Sequence, residues 1–229
     1  MAIPARGVVA ATALGVYDAW EEHASVMIFT AGPRTSDLAA LRAGDALDLL
    51  GPLGNGFVLN ELPKSVGIVA GGVGLASVLL AAKRSVSGGA QTTLYYGARS
   101  AGALIDVERF EENGCTVVLA TDDGSLGHHG FVTDLLRDAA MDLLLACGPT
   151  PMLRAVCALA LEREIPAQLS LEENFACGVG ACWGCVVPID RRSAQAPHFP
   201  PPVPQEPRPF AHARVCKEGP VFWARDLRW

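Results

Sequence analysis

The sequence predicts three consecutive units: a partial antiparallel β-barrel over residues 1–62, a doubly wound parallel α/β sheet over 63–168, and a C-terminal cysteine-loop segment over 169–229. Short apolar runs separated by Gly and Pro turns indicate the first unit, and alternating strand and helix patterns indicate the second. Three cysteines within nine positions mark the third. With 229 residues, half of them hydrophobic, the chain is long enough to give two domains buried cores.

The first unit is predicted to contain two strands and a loop. The run "SVMIFTA" (25–31) is apolar and partly β-branched, which favours a strand. A turn at Gly44 and Asp45 leads into a second strand at "ALDLL", and the Pro- and Gly-rich "GPLGNGF" follows as a loop. Together they indicate a small antiparallel sheet or barrel.

The second unit alternates strands with helices. The segment "SVGIVA" (65–70) is a continuous apolar run, as expected for a strand buried on both faces of a parallel sheet. Further strands are predicted at "QTTLYYGA", "TVVLAT" and "MDLLLACG", and helices at "ASVLLAAKRSV", "ALIDVERFEENG", "VTDLLRDA" and "PMLRAVCALALERE". This order implies a doubly wound sheet.

Composition argues against several classes of protein. A net charge of −6, with Lys and Arg scattered, leaves no basic face to bind nucleic acid. The apolar stretch 66–82 carries three glycines near its middle, which favours a strand, a turn and a helix over a membrane span. No export signal is evident and the seven cysteines are an odd number, so we expect a cytoplasmic protein without a disulfide framework.

The third unit holds four cysteines and, over 197–209, a proline-rich stretch predicted to be an extended, solvated loop. Cys177-x4-Cys182-x2-Cys185, with Cys216 downstream, has the spacing of plant-type [2Fe-2S] ligands. Two irons need four thiolates from a tightly wrapped loop, and glycines permit the sharp turns and free N–H groups that such wrapping requires. The glycines between these cysteines are Gly178, Gly180 and Gly184.

A structural zinc site and buried structural cysteines are the alternatives for this cluster. Zinc sites usually pair two tight knuckles, whereas one Cys-x2-Cys pair is present here, and His198 and His212 lack knuckle spacing. Chance burial of three cysteines would not explain the glycines between them. The spacing therefore favours the iron–sulfur cluster.

A glycine turn after the first buried strand is a candidate nucleotide site. Gly71, Gly72 and Gly74 lie between a strand and a helix, where backbone N–H groups at the helix start can meet a pyrophosphate. The pattern Gly72-x-Gly74-x-x-Ser77 is close to the dinucleotide fingerprint without matching it. A tight strand-to-helix turn without a ligand is the alternative.

Two further strand ends could face the same nucleotide, because ligands of such sheets bind outside the carboxyl ends of the strands. In "ACGPTPM", Cys147, Gly148 and Pro149 follow a strand where a nicotinamide ring could lie. After the strand "TVVLAT", Asp122 and Asp123 could accept ribose hydroxyls and disfavour an added phosphate, or they could serve only in a turn and helix cap. Arg99 could meet a 2′-phosphate, which leaves NADP as the alternative to NAD.

Taken together, these motifs resemble the electron-transfer subunit of the two-subunit (class B) dihydroorotate dehydrogenases, a family of ferredoxin reductase-like flavoproteins. The resemblance extends from about Tyr17 to the C-terminus, and the cysteine segment with "VCKEGPVF" is its most specific part. The motifs that carry it are "LGPLGNGF", "GGVG", "YGARS", "ATDDGSLGHHGFVTDLL", "CGPTPML", "SLEENFACGVGACWGC" and "VCKEGPVF".

The resemblance implies an oxidoreductase that relays electrons in pyrimidine (UMP) biosynthesis. In this family NADH passes a hydride to FAD, FAD passes single electrons to the [2Fe-2S] cluster, and FMN in a catalytic partner subunit receives them, or the flow is reversed. A heterotetramer with that dihydroorotate dehydrogenase subunit is implied, and dihydroorotate itself would bind to the partner. The matching positions are Cys177, Cys182, Cys185 and Cys216 for the cluster, Gly32 and Thr35 for FAD, and Gly71, Gly72, Gly74, Cys147, Gly148 and Pro149 for the nucleotide.

Three departures from the family concern the flavin. Thr12 and Gly15 in "TALGVYD" stand where the family has the arginine and serine of an Arg-Pro-x-Ser strand, and Arg34 replaces a glycine near Thr35. The sequence is also expected to lack the first strands of the barrel. Two alternatives follow: a related NAD(P)H-dependent subunit of a sulfite reductase or a ferredoxin:NADP oxidoreductase, or a redox protein that keeps the cluster and binds no flavin.

Overall fold

A computed structural model describes residues 2–4, 12–196 and 210–229 of the chain, and for residues 2–4 it describes the backbone alone. The proline-rich loop predicted over 197–209 therefore lies outside the described residues. Within the described residues the chain forms two small antiparallel strand pairs, one seven-stranded sheet and one C-terminal hairpin.

The N-terminal part consists of short strands in two separate pairs. Strand β1 (Ala2–Pro4) pairs antiparallel with β4 (Leu47–Leu49), and β2 (Asp18–Trp20) pairs antiparallel with β3 (His23–Ser25). One short helix, α1 (Pro33–Ala39), lies between the two pairs in sequence. The predicted antiparallel character is confirmed, but in the described residues these pairs do not close into a barrel.

The strand predicted over residues 25–31 is wrong beyond its first residue. The structure ends β3 at Ser25, and within the described residues no strand pairs with the segment that follows. Val26 and Phe29 are exposed there, Phe29 by 66%. A β-branched run becomes a strand only when a neighbour satisfies its backbone N–H and C=O groups, so propensity alone did not decide this segment.

The central sheet has seven strands in the order β13-β10-β9-β5-β6-β7-β8. Strands β5 to β10 are all parallel to their neighbours, and β13 adds to β10 antiparallel at one edge. Their bounds are β5 (Ser65–Gly71), β6 (Gln91–Ala98), β7 (Thr116–Thr121), β8 (His128–His129), β9 (Leu143–Cys147), β10 (Ala167–Ser170) and β13 (Val221–Trp223). The four predicted parallel strands are confirmed, whereas β8, β10 and the antiparallel edge strand β13 were not predicted.

Three α-helices accompany this sheet: α2 (Leu79–Ser87), α3 (Val107–Glu112) and α4 (Thr150–Glu162). The helix predicted from residue 76 begins only at Leu79, because Gly72–Ser77 first form a tighter 3₁₀ turn. The helix predicted at residues 132–139 is instead a 3₁₀ turn over Val132–Leu136. Val132 packs directly on Gly97 of β6, which holds that short turn against the sheet.

Two buried apolar clusters lie on opposite faces of the sheet, because alternate residues of a strand point to opposite sides. Ile68 of β5 packs with residues of α2 and α3 such as Leu79 and Phe110. Its neighbour Val69 packs with α4 and with the C-terminal residues Val215 and Phe222, among others. The sheet is thus covered on both faces, as predicted for a doubly wound architecture.

The cysteine segment packs on the α4 face of the sheet. Strands β11 (Val186–Asp190) and β12 (Phe210–Arg214) form an antiparallel hairpin, and Ile189 and Ala213 enter the same cluster as Val69. The N-terminal part reaches this segment through Asn55, whose backbone N–H donates to the Gly219 carbonyl at 2.6 Å. Among the described residues, no helix is long and apolar enough to cross a membrane.

Candidate functional site

The order in which the chain adds strands to the sheet reverses between β5 and β9. The predicted nucleotide-binding residues lie together at that point. From β5 the chain proceeds through β6, β7 and β8 on one side, then returns to the other side of β5 with β9. Such a switch point leaves a crevice at the carboxyl ends of the two strands, where ligands of α/β sheets bind. The residues at these ends are Gly71, Gly72 and Gly74 after β5, and Cys147, Gly148 and Pro149 at the end of β9. We call this region the nucleotide edge.

The backbones at the nucleotide edge touch so closely that no side chain fits between them. A Cβ atom on Gly74 would lie 2.4 Å from the Cys147 carbonyl oxygen, and one on Gly71 would lie 2.8 Å from the Pro149 Cδ atom. By contrast, Gly72 has a φ of +52°, and no described residue lies within 4 Å of where its Cβ atom would be. In the glycine turn, Gly71 and Gly74 are thus closely packed, whereas Gly72 is left-handed and has free space beside it.

The Cys147 side chain takes no part in the exposed surface of this edge. It is fully buried, and burial raises the pKa of its thiol to about 11, despite a hydrogen bond with Ser77 that lowers it. A neutral, inaccessible thiol packs as a small apolar group. Gly148, with its φ of +159°, is buried as well, so the first exposed residue at this strand end is Pro149.

The predicted ribose-binding residue lies two strands away from the glycine turn. Asp122 follows β7 and is exposed, and its backbone N–H donates to the Ala98 carbonyl at 3.0 Å. The adjacent Asp123 is engaged in a turn, since its carboxylate accepts hydrogen bonds from the Ser125 N–H at 3.0 Å and hydroxyl at 2.6 Å. Asp122 and Arg99 both end up at the carboxyl edge of the sheet, as the sequence predicted.

The two predicted flavin residues lie at the start of α1, apart from the nucleotide edge in sequence. The Thr35 hydroxyl accepts hydrogen bonds from the backbone N–H groups of Ala31 at 3.0 Å and Gly32 at 3.2 Å, so it holds the turn before the helix. No described residue lies within 4 Å of where a Gly32 Cβ atom would be. Of the large apolar side chains exposed in the described residues, eight belong to this N-terminal part: Val16, Trp20, Val26, Phe29, Leu49, Leu50, Leu53 and Val58.

A buried carboxylate that sequence reasoning missed ties this N-terminal part to the sheet. Asp18 of β2 pairs with Lys83 of α2 at 2.8 Å and with Arg109 of α3 at 2.6 Å. Tyr17 beside it donates its hydroxyl to Asp106. Burial alone would raise the pKa of Asp18, but the hydrogen bonds from Lys83 and Arg109 outweigh it and lower the pKa. Partners 65 and 91 positions away leave no local signal in the sequence.

The cysteine loop directs backbone N–H groups at its sulfurs. Cys177 Sγ accepts from the N–H of Ala181 at 3.3 Å and of Cys182 at 3.4 Å, and Cys182 Sγ accepts from the N–H of Gly184 at 3.4 Å. Gly178 and Gly180 adopt left-handed conformations, with φ of 67° and 81°. The glycines predicted to let the loop turn sharply do so at these two positions.

Hydrogen bonds group the four cysteines into two pairs, Cys177 with Cys182 and Cys185 with Cys216, which differ in burial. Backbone N–H groups of Val179 and Cys182 lower the pKa of the Cys177 thiol to about 6. The Cys216 N–H donates to Cys185 Sγ at 3.5 Å, and both residues are buried. Burial, and then the Cys185 sulfur, raise the pKa of Cys216 to about 11.

The donor set of this loop fits an iron–sulfur cluster. Among the described residues, no group of three or more His, Cys, Asp or Glu side chains is arranged to hold a metal ion. The hydrogen bonds instead link Cys182 to Cys177 and Cys216 to Cys185. Four cysteine sulfurs supported by N–H donors match the ligands and hydrogen bonds that tune [2Fe-2S] clusters.

Arg214 is the second functional candidate that the sequence did not predict. It ends β12, its guanidinium donates to the Gly180 carbonyl at 2.6 Å, and it lies over the Trp183 ring at 4.4 Å from the centroid. Trp183 itself has a φ of 57°, which is unusual for a bulky residue. The available signal was a charge pair at i, i+4 with Glu218, which brackets the fourth cysteine.

Comparison with known proteins gives this arrangement a family. No protein-family model matches the chain. It is 36% identical over 93% of its length to the dihydroorotate dehydrogenase B (NAD(+)) electron transfer subunit of Caldanaerobacter subterraneus subsp. tengcongensis, covering 78% of that protein. The subunit of the same name from Geobacillus kaustophilus is 40% identical over 86% of this chain and 70% of its own. The chain belongs to the family of dihydroorotate dehydrogenase B electron transfer subunits.

A solved structure agrees with membership in this electron-transfer-subunit family. An NADH-dependent reduced ferredoxin-NADP oxidoreductase superposes with a TM-score of 0.74 and 29% identity, over 94% of this chain and 73% of that one. The fold is therefore ferredoxin reductase-like, with small antiparallel sheets beside a largely parallel sheet. The chain is an oxidoreductase subunit, as the resemblance in sequence implied.

Proposed function

We propose that this chain relays electrons between NADH, FAD and a [2Fe-2S] cluster, to or from the catalytic, FMN-containing subunit of a dihydroorotate dehydrogenase in pyrimidine biosynthesis. The observation that carries the proposal is the arrangement of four cysteines in a loop whose N–H groups point at their sulfurs. Relatives named electron transfer subunit supply the partner: the dihydroorotate dehydrogenase they serve.

The cluster would be held by Cys177, Cys182, Cys185 and Cys216. A bound [2Fe-2S] cluster carries one electron at a time, whereas nicotinamide carries two and a flavin can exchange either number. In this chain the N–H groups of Ala181, Cys182 and Gly184 would hold the thiolates in place and lower their charge density. The zinc alternative is less favoured because it needs one tetrahedral set of ligands, not two linked pairs.

The nucleotide edge would bind NADH through backbone groups. Gly71, Gly74 and Gly148 fix the close approach of the two strand ends, and the open residue Gly72 leaves room for a phosphate next to the turn. The backbone around Cys147 and Pro149 would then lie beside the nicotinamide. Asp122, exposed at the end of β7, would accept ribose hydroxyls and so favour NAD over NADP.

FAD would lie on the N-terminal part, against Gly32 and Thr35. The large apolar side chains exposed there offer a surface that a flavin ring can cover. Gly15, in the stretch corresponding to the family's flavin-gripping strand, lies near Ser77, since a Cβ atom on it would come within 3.4 Å of the Ser77 hydroxyl. Flavin on this side would therefore approach the glycine turn where the nicotinamide docks.

Three units would divide this work: 1–62 for FAD, 63–168 for NAD and 169–229 for the cluster. We further propose a heterotetramer with the catalytic subunit and a cytoplasmic location, with no nucleic acid or membrane as partner. The net charge of −6 is consistent with the absence of a nucleic-acid partner. Dihydroorotate would bind to the catalytic subunit.

One alternative has an observation in its favour. The 29% identity to a ferredoxin-NADP oxidoreductase structure would also suit a subunit that serves another reductase. The higher identity to dihydroorotate dehydrogenase B subunits, 36% and 40%, favours the first proposal. A redox protein that keeps the cluster and binds no flavin is distinguished by flavin content alone.

The test is an anaerobic absorbance spectrum of the full chain, loaded with iron, sulfide and FAD, before and after NADH. Flavin bands with a broad cluster shoulder, both bleached by NADH, are the expected result. A cluster shoulder without flavin, unchanged by NADH, would overturn the relay. Co-purification with a dihydroorotate dehydrogenase catalytic subunit then tests the partner, and failure to bind it would favour the alternative reductase.

A further inference from the structure

A buried arginine touches both halves of the cysteine loop. The Arg214 side chain is 6% exposed. Its Nη1 atom donates to the Gly180 carbonyl at 2.6 Å, within the stretch between the first two cysteines. Its guanidinium also lies over the Trp183 ring, in the stretch between the second and third cysteines. Arg214 itself precedes the fourth cysteine, Cys216, by two residues.

The same arginine is paired with a carboxylate on the other side of the fourth cysteine. Glu218 Oε2 accepts from the Arg214 Nε atom at 3.0 Å and from its backbone N–H at 2.7 Å, and Oε1 accepts from Nη2. An arginine guanidinium stays protonated throughout the pH range of folded proteins, and these hydrogen bonds fix its position beside the fourth cysteine. The guanidinium is therefore a permanent positive charge within the electrostatic reach of the site.

A fixed charge at this position must act on any electron that arrives. Reduction of a cluster held by four thiolates adds negative charge to a site that is already negative. A nearby positive charge stabilises the reduced form and a nearby negative charge opposes it, more strongly where water is excluded. Arg214 and Glu218 have opposite effects on the reduction potential, so the net effect on the cluster is the difference between the two.

We propose that Arg214 is a positioning residue for the four-cysteine loop, and that the balance of its charge with that of Glu218 sets the reduction potential of the site. The proposal rests on the proposed function, because it requires the cluster to be bound. The geometric part acts through the Gly180 carbonyl and the Trp183 ring. The electrostatic part needs only the charges.

Redox titration of the loaded full chain, followed by electron paramagnetic resonance of the reduced cluster, tests this proposal. Glu218→Gln keeps the shape and one of the two acceptor oxygens for Arg214 while removing the negative charge, so it should favour reduction by about tenfold, or about 59 mV for one electron. Arg214→Gln should disfavour reduction by a similar factor. The double variant should return close to the wild type, because it removes both charges.

Replacing Arg214 with lysine separates the geometric part of the proposal from the electrostatic part. Arg214→Lys keeps the charge but loses the planar fork that reaches Glu218 and Gly180 together. Its potential should stay near that of the wild type, while its cluster should be lost several-fold faster to an iron chelator. A Glu111→Gln control, on α3 at the opposite face of the sheet, should change neither quantity.

Two results would overturn the proposal, and they differ. If the Glu218→Gln variant holds an intact cluster at the wild-type potential, the electrostatic role of the pair is excluded even if Arg214→Gln fails to fold. If the wild-type chain yields no paramagnetic cluster signal on reduction, the proposed function itself fails, and this inference fails with it.

Discussion

The nucleotide edge and the cysteine segment are built by opposite means. At the nucleotide edge the two strand ends are pressed together: a Cβ atom on Gly74 would meet the Cys147 backbone, and one on Gly71 would meet the Met152 and Pro149 side chains. The cysteine segment shares the buried cluster through Ile189 and Ala213, and its chain is also held by ion pairs: Arg214 with Glu218, and Asp190 with Arg192 and Arg228. The first is fixed by steric exclusion, and the second by polar contacts that depend on ionisation.

This difference separates how the two regions respond to change. Steric contacts are insensitive to pH and salt, but they do not tolerate one added methyl group. Charged contacts depend less on exact shape, but they weaken when one partner is neutralised and respond to acid, to salt and to the charge of a bound cofactor. The effects of substitutions should therefore depend on pH and salt in the cysteine segment and on side-chain size at the nucleotide edge.

The largest effect is expected from Cys185→Ser, which alters the cysteine segment with almost no change in shape. Cys185 is buried next to Cys216, and a serine hydroxyl is a far poorer ligand for iron than a thiolate. Iron retained after desalting should fall about tenfold or more. Iron and sulfide analysis checks this, with Cys115→Ser as the matched control, since Cys115 is also buried but lies outside the segment. Unchanged iron content in the Cys185 variant would remove it from the ligand set.

The second effect is expected at the nucleotide edge. In Gly74→Ala the new methyl group would lie 2.4 Å from the Cys147 carbonyl oxygen, a backbone atom that cannot rotate away. The unfolding free energy should fall by about 3 kcal/mol, with weaker NADH binding. Urea unfolding and NADH titration measure the two quantities. Gly102→Ala is the control because nothing lies within 4 Å of that position, and equal stability of both variants would contradict the steric account.

The sequence predicted the central sheet well and the polar contacts poorly. Strands β6 and β7 were predicted at their observed bounds, because β-branched and aromatic residues are concentrated in them and turn residues precede them. The edge strand β13 was missed, since its pairing with β10 joins residues more than fifty positions apart. The four cysteines and the glycine turn were visible as spacing patterns, whereas Arg214 and Asp18 act through partners that only the fold brings near.

The ion pairs of Asp18 test whether charge also contributes to stability beside the sheet. Asp18 is buried, but its partners Lys83 and Arg109 are a third or more exposed, so water screens part of the interaction. Asp18→Asn should therefore cost about 1–2 kcal/mol of unfolding free energy at pH 7, less than a fully buried pair would. Urea unfolding measures it, with Asp37→Asn on the exposed face of α1 as the control.

The pH dependence of that cost has a definite sign. The folded pKa of Asp18 is lowered, so its contribution is complete above the unfolded value of about 3.9 and is lost as the pH falls through the lower folded value. The wild type and Asp18→Asn should thus differ at pH 7 and converge in acid. A difference that stays constant down to pH ~2 would mean that packing, not charge, holds this tie.

The smallest effect is expected from Asp190→Asn in the cysteine hairpin. Hydrogen bonds from Arg192 are the main cause that lowers the pKa of Asp190 to about 2, yet the Arg192 and Arg228 side chains are 90% and 45% exposed. Ion pairs with such exposed partners contribute little, so thermal unfolding should shift down only slightly. The shift should disappear in 1 M salt, where the screening length is about 3 Å. If the shift in unfolding temperature persists in high salt, Asp190 acts through packing, like the contacts of the nucleotide edge. The contrast between the two regions would then depend on Arg214 and Glu218 alone.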